Sequence, residues 1–426
     1  IKVGIVGSPQ EINLLQDWFE KCSSGIKAKE SKYVNMHVRF PGYGKDSPLP
    51  AKIVYSDESN VIISSRELSK IYEEEKYNLM VKKASDLFFE KLSHISETKQ
   101  IDVLICAPPQ ELRNKLLLLK EELLKKERAL DFHDHLKARG LTFNHPIQFV
   151  WPATYLGKKY SHGAKSFQDE ATRIWNFYTA LYYKARGTPW KLINRKSDYT
   201  VCYVGVGFFH SLDNKSIQTT VAQLFNERGE GIITRGGPAE RKKDKQLHIN
   251  EKTAYKLLSD SLKKYRTEHK TNPARIVIHK SSIFDNEEAS GFFEAANDYS
   301  IELVDLIYIT RSFTRVFRIG KKAPLRGTFL HFDNSNNVLY TFGSINFFKT
   351  YPGLYVPLPL KFSIHTSDHP PEFLASEILK LTKMNWNNTQ MYNTEPLTID
   401  AAKRVGALLK YVDNKENVSS NYRYYI

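Results

Sequence analysis

The run IKVGIVG at residues 1–7 alternates among apolar positions, and IDVLICAPP at 101–109 does the same. Both predict buried strands, each followed by a polar or helical run. The segment PPQELRNKLLLLKEELLKKERAL (108–130) predicts a charged helix with one apolar stripe and a solvated face. DFHDHLKARG (131–140) predicts a short helix closed by Gly140, and a proline-led apolar strand follows in HPIQFV. FQDEATRIWNFYTALYYKARG (167–187) predicts another helix, stopped at Gly187 with Pro189 just beyond. This order predicts a Rossmann-like α/β layer over residues 1–190. GIVGSPQ is too short a match to a G-x-G-x-x-G turn to support a dinucleotide site.

The polar stretch TPWKLINRKSDYT (188–200) predicts a junction, and a second α/β unit over 191–426 begins at YTVCYVGVGFFH. It continues with a helix at NEKTAYKLLSDSLKKYRTEH, strands at ARIVIHKSS and IELVDLIYIT, and a hairpin at GTFLHFDNSNNVLYTFG. Two helices close it, PPEFLASEILKLTKM and TIDAAKRVGALLKYV. There is no internal repeat and no low-complexity tract. A chain of 426 residues exceeds what one core usually serves, which also predicts two domains.

Charge changes the picture more than length does. The net charge is +15 and the pI near 9.3, with 24 Tyr and 24 Phe interleaved among the cations. Beside the plain alternative of a basic soluble protein, this pattern points to a nucleic-acid partner. No run of 18 apolar residues exists to span a membrane. The chain opens without methionine on a strand-like run rather than a signal peptide, which predicts a short missing N-terminal piece. Cys22, Cys106 and Cys202 are scattered in apolar runs. They form neither a disulfide framework nor a metal cluster, and fit a reducing cytoplasm.

His133 and Lys137 stand four residues apart, on one helix face, and Gln148 follows on the strand. A catalytic histidine wants a carboxylate and a zinc site wants more His or Cys. This group offers donors and positive charge, which suits an anion such as a phosphate; an ordinary solvated helix face is the plain alternative. His135 points elsewhere on the helix, in a structural or surface role.

These residues, with the closing segment SEILKLTKMNWNNTQMYNTEPLTIDAAKRVGALLKYV, resemble a short prokaryotic Argonaute, the kind built of MID and PIWI domains only. The resemblance covers nearly the whole chain and leaves no room for a PAZ domain before the MID part. It implies a MID pocket for the 5′-phosphate of a guide strand, in which His133, Lys137 and Gln148 match the family's spacing in its His-Lys variant. Asn176 and Lys184 are the family's remaining pocket positions; eight residues apart, they lie about 80° around a helix and can face one side. Ala180 stands where many relatives carry a further lysine. The tail NYRYYI implies docking near the pocket, with the terminal carboxylate of Ile426 helping to hold Mg²⁺ against guide phosphates.

The resemblance also implies an RNase H-like PIWI domain, whose active forms cut with clustered acids holding two metals. Here Gly207, Ser281 and Lys403 stand at the acid positions, with Asp400 one turn before the last, which predicts a pseudo-nuclease. The family's glutamate finger has no clear counterpart; Gly236 and Gly237 lie near where it would fall. The implied function is recognition of single-stranded target DNA by a guide RNA, in defence against plasmids or phage. Output is expected from a partner subunit bearing an APAZ region fused to a TIR or sirtuin-like, NAD-consuming effector, as a heterodimer that oligomerises on target binding. The alternative is a guided nuclease using other acids, with Asp198, Asp213, Asp285 and Asp305 available. A stand-alone phosphate-binding regulator is a third option, against which the length of the second half argues.

Overall fold

The computed structural model describes residues 1–45, 47–121, 123, 128–157, 167–193, 200–225, 230–320, 323–348, 351, 356–389, 393–413 and 417–426. In the first half, β1 (Val3–Gly7), α1 (Pro9–Ser23), β2 (Val61–Ile62), α2 (Ser65–Tyr72), α3 (Tyr77–Thr98), β3 (Val103–Ala107) and α4 (Gln110–Glu121) come in turn. They are followed by α5 (Phe132–Arg139), β4 (Ile147–Phe149), α6 (Pro152–Leu156) and α7 (Glu170–Lys184). The strands form one parallel sheet in the order β2-β1-β3-β4.

Every residue of β1 and β3 is buried, as a parallel sheet covered on both faces requires. Alternate side chains divide between two cores. Val3, Ile5, Val103 and Ile105 pack with α1 and α7, whereas Val6, Leu104 and Cys106 pack with α3 and with Leu136 of α5. The predicted helix at 108–130 is shorter than its pattern: α4 stops at Glu121, and residues 124–127 lie outside the described ones. Gly140 does close α5, but with φ −67° rather than in the left-handed region. An added Cβ there would lie 2.3 Å from Ile147 Cδ1, so the end of α5 packs closely against the Ile147 side chain of β4.

In the second half come β5 (Val201–His210), β6 (Ile217–Phe225), β7 (Glu230–Arg241), β8 (Leu247–His248), α8 (Glu251–His269), β9 (Arg275–Lys280) and α9 (Asn286–Asp298). Then follow β10 (Leu303–Arg311), β11 (Phe329–Asp333), β12 (Asn336–Leu339), β13 (Leu360–Thr366), α10 (Pro371–Leu381) and α11 (Leu397–Leu409). One mixed sheet holds all nine strands, in the order β11-β12-β13-β10-β9-β5-β6-β7-β8. Strands β5, β6 and β7 are an antiparallel meander, while β9 and β10 run parallel to β5. The sequence pattern missed β6, β7 and β13. Threonines, glutamines and glycines dilute the apolar signal of β6 and β7, and Lys361, Ser363 and His365 that of β13; antiparallel pairing, in the meander and with β10 and β12, supplies what propensity does not.

The two sheets meet over a shared core. Ala138, Leu141 and Tyr183 from the first half pack with Trp386, Leu397, Val405 and Tyr422 from the second. The junction stretch is anchored there too: the Trp190 indole donates to Lys383 O at 2.8 Å, although residues 194–199 lie outside the described ones. Helix α11 lies along β5 so closely that a Cβ on Gly205 would sit 2.0 Å from Thr398 O. Gly205→Ala is therefore expected to destabilise the fold by about 1–3 kcal/mol through overpacking. A denaturant titration measures this, and an unchanged midpoint would show that α11 is not held where the packing puts it.

Candidate functional site

Four of the five residues singled out for phosphate binding face one cavity of about 240 Å³. His133 and Lys137 come from α5, Gln148 from the end of β4 and Lys184 from the last turn of α7. The cap of α5 explains its direction: Asp131 accepts from Asp134 N at 2.9 Å, so the helix starts sharply and its first turn borders the cavity. The α5 dipole thus favours an anion, while α7 presents its carbonyl end and contributes through Lys184 alone. The site lies at the carboxyl end of β4, the usual place for ligands in an open parallel sheet.

Within the cavity, Lys184 Nζ donates to Gln148 Oε1 at 2.7 Å. Lys137 Nζ donates to the main-chain oxygen of Ile426, the atom assigned above to a cation. The His133 ring packs tilted against Phe149, centroids 4.6 Å apart, and holds Asp134 Oδ1 at 3.0 Å through Nδ1. Burial lowers its pKa, against the hydrogen bond it donates to Asp134. The tail docks as the sequence predicts: Tyr424 OH donates to Asn144 O at 2.6 Å, Ser419 N to Leu141 O at 2.9 Å, and Tyr422, Tyr425 and Ile426 are buried.

The sequence reading missed Arg404. It projects from α11 into the same cavity, held by Asp400 at 3.0 Å, along with Asn387, Phe149 and Tyr425. Its signal in the sequence is only the i, i+4 pair with Asp400, which any solvated helix could show. With it, three cationic side chains line the cavity, beside the side-chain carboxylate of Asp134 and the main-chain end of Ile426. Burial, then Arg404, push the Lys137 pKa down to about 7. Burial, then Lys137 and Arg404, hold Lys184 well below the usual ammonium range.

Asn176 does not join them. It accepts from Thr389 N at 3.0 Å and lines an adjoining cavity of about 490 Å³ with Gln168, Arg173 and Phe177; Gln148, Phe149 and Asn387 border both cavities. The 80° offset put Asn176 and Lys184 on one side of α7, but eight residues also climb about 12 Å along the axis, too far for one phosphate.

The three positions given to lost acids lie near one another, on β5, just past the end of β9 and on α11. Val206 is registered with Lys280, so Gly207 and Ser281 lie one step further along neighbouring strands. A Cβ on Gly207 would touch Ala402 Cβ at 3.0 Å, next to Lys403 on α11. Lys403 itself turns outward to Glu395 at 2.6 Å. Gly236 and Gly237 are strand residues of β7, where Thr219 Oγ1 donates to Gly237 O at 2.8 Å.

The alternative acids are engaged elsewhere. Asp213 accepts from Ser211 Oγ at 2.6 Å in a turn, Asp285 caps α9 and pairs with Lys242 at 2.8 Å, and buried Asp305 pairs with Arg275. Asp198 lies outside the described residues. Among the described residues, two groups could offer three metal ligands, Asp131-His133-Asp134 and His248-Asp285-Glu288. Neither includes the Gly207 end of β5, and in the second the Lys280 ammonium already pairs with Glu288.

Solved structures with this arrangement include Drosophila Piwi, with a TM-score of 0.63 at 13% identity over 100% of this chain and 50% of that one. The fold is Argonaute-like. Clostridium butyricum Argonaute, bound to a guide DNA and a 19-mer target DNA, gives 0.62 at 15% identity over 98% of this chain and 50% of its own. A. aeolicus Argonaute gives 0.60 at 15% over 100% and 50%. The chain thus spans about half the length of these Argonaute and Piwi structures. No protein-family model and no curated protein matches the chain. The expected α/β fold class is met, as a parallel four-stranded sheet and a mixed nine-stranded one. Among the described residues, no helix of this Argonaute-like chain is long and apolar enough to cross a membrane.

The depressed Lys137 pKa has a direct consequence for stability. Folded chains release this proton from about pH 7 and unfolded chains only near 10.5, so between those values the unfolded state binds more protons. Stability from this group therefore rises with pH across that window and is lost as pH falls through 7. Lys137→Met is expected to flatten the rise, read from urea midpoints over the same range. Parallel profiles for the two proteins would show that Lys137 keeps an ordinary pKa.

Proposed function

We propose that this chain is a guide-binding module that grips the 5′-phosphate of a short nucleic-acid strand and presents that strand for base pairing with a target. The observation that carries this reading is the convergence of Lys137, Lys184 and Arg404, with His133 and Gln148, on one cavity of phosphate-accommodating size. Charge-assisted bonds to a phosphate are shorter and stronger than neutral ones, and a dianion would return the two lysines to their charged form. The adjoining cavity, with Asn176 and Arg173, would receive the rest of the first nucleotide. Target sequence would be read by pairing, as in other guided systems, rather than by side chains.

The finer parts of the proposal come from the resemblance to short prokaryotic Argonautes with MID and PIWI domains. They are an RNA guide, a single-stranded DNA target, and defence against plasmids or phage in the cytoplasm. The output would belong to an APAZ-bearing partner with a TIR or sirtuin-like effector, in a heterodimer that oligomerises on target binding. The chain's own nuclease chemistry is proposed to be lost, a reading supported by Gly207, Ser281 and Lys403 and by the engagement of the nearby acids in caps and ion pairs. Mg²⁺ beside Ile426 stays part of the proposal: Lys137 donates to one oxygen there, and the cation would bridge that end of the chain to guide phosphates. A divalent ion would need oxygens supplied by the bound strand, so the grip is assigned to the side chains.

Two measurements test this. His133→Ala with Lys137→Ala should weaken binding of a 5′-phosphorylated oligonucleotide at least tenfold, since such bonds contribute about 1.5–3 kcal/mol each. Binding of the 5′-hydroxyl form should not change. Equal affinity of the unmutated protein for the two forms would sink the pocket assignment. Incubating the loaded protein with complementary target and Mg²⁺ or Mn²⁺ should leave the target intact. Guide-dependent cutting would instead establish the nuclease alternative.

A further inference from the structure

Strand β7 has β6 along one side, from Phe225 opposite Glu230 to Ile217 opposite Ala239. Its other side meets β8 at Glu240 and Arg241. The beginning of that side is taken by the tail of the chain. Ile232 pairs antiparallel with Asn421, and Ile233 N donates to Ser420 O at 2.6 Å. Gly231 permits the approach, since an added Cβ there would lie 2.8 Å from Tyr422 Cβ. A bare strand edge offers its backbone groups to any other chain, so this cover has a purpose.

The same segment also holds the first half. Ser419 N donates to Leu141 O at 2.9 Å, and Tyr424 OH donates to Asn144 O at 2.6 Å. Lys137 donates to the main-chain oxygen of Ile426, and Tyr425 and Ile426 line the phosphate cavity. Bonds inside the segment join its two ends into one piece: Tyr425 OH donates to Ser419 O at 2.8 Å, and Arg423 N to Asn421 Oδ1 at 3.0 Å. Strand β7 is tied onward as well, with Lys264 of α8 donating to Thr234 Oγ1 at 3.0 Å and Arg235 to Val412 O at 3.1 Å.

We propose that residues 417–426 are a strap that couples the phosphate cavity to the edge of β7, closing on Ile232 and Ile233 when a strand end fills the cavity. This rests on the reading of the cavity as a 5′-phosphate site. With Lys137 turned to the phosphate and the Ile426 oxygen to the bridging cation, the ligand touches the strap only while the strap is docked. Its binding therefore favours the docked form. Such coupling is reciprocal, so whatever lifts the strap from β7 weakens the grip on the phosphate by the same factor. A loaded chain thus seals a sheet edge that the empty chain opens more often.

The test follows hydrogen–deuterium exchange of the full chain in Mg²⁺ buffer, with an oligonucleotide carrying a 5′-phosphate or a 5′-hydroxyl. The 5′-phosphate should slow exchange of the Ile233 amide about fivefold or more relative to the 5′-hydroxyl. Gly231→Ala, which pushes Tyr422 off the strand and lies outside the cavity, should erase that difference. It should weaken 5′-phosphate binding by a similar factor and leave 5′-hydroxyl binding unchanged. Tyr424→Phe removes one surface bond of the strap, leaves the fold intact and should reduce both effects together. Preference for the 5′-phosphate with equal exchange at Ile233 for the two strands would overturn the strap and leave the cavity reading standing. Equal affinity for the two strands would overturn both. Faster exchange at Ile233 with the 5′-phosphate would also overturn the strap, because the tail would then be a competitor expelled from the cavity.

Discussion

Lys137, Lys184 and Arg404 share one buried cavity, and the electrostatic cost of keeping them there shapes everything around it. Removing an ammonium from water costs several kcal/mol unless bonds and opposite charge replace the lost hydration. Here the replacements come from far apart in sequence. Lys184 takes the amide oxygen of Gln148, Lys137 takes the main-chain oxygen of Ile426, and Arg404 is held by Asp400. The apolar joint around Tyr183, Trp386, Leu408 and Tyr425 offsets the remainder. The pocket and the joint between the two sheets are therefore one construction.

Helix α11 carries that construction into the second sheet. One of its faces gives Arg404 to the cavity, and another presses Thr398 and Ala402 onto Gly205 and Gly207 of β5. Lys403 turns away from both to Glu395. An anion that engages Arg404 thus bears on the same helix that covers the end of β5. The segment before α11 strengthens this link, because Thr389 bonds Asn176 of α7 and Asn387 borders both cavities. Arg311, the last residue of β10, lies 3.6 Å from Glu395, which also pairs with Lys403 of α11.

Where the chain buries an element on both faces, as in β1, β3 and β9, an unbroken apolar run announced it in the sequence. Helices α5, α7, α8, α10 and α11 were legible from periodicity and stop signals. Strands β6 and β7 were not, since Thr219, Thr220, Gly236 and Gly237 fit there through cross-strand contacts that no local pattern encodes. The site divides the same way. His133, Lys137 and Gln148 lie on adjacent elements within sixteen residues, so their spacing, together with the family resemblance, points to them. Arg404 arrives from a helix more than two hundred and fifty residues away, through packing that only the folded chain reveals. Asn176 borders the adjoining cavity because eight residues of helix add a rise of about 12 Å to the rotation of about 80°.

The most direct measurement is an experimental structure of the chain with a short 5′-phosphorylated oligonucleotide. The account predicts the terminal phosphate within hydrogen-bond distance of Lys137 and Lys184 from the first half and of Arg404 from the second. The first nucleotide should enter the adjoining cavity beside Asn176. A phosphate bound elsewhere, or one that leaves Arg404 on Asp400 and Lys137 on Ile426, would contradict it.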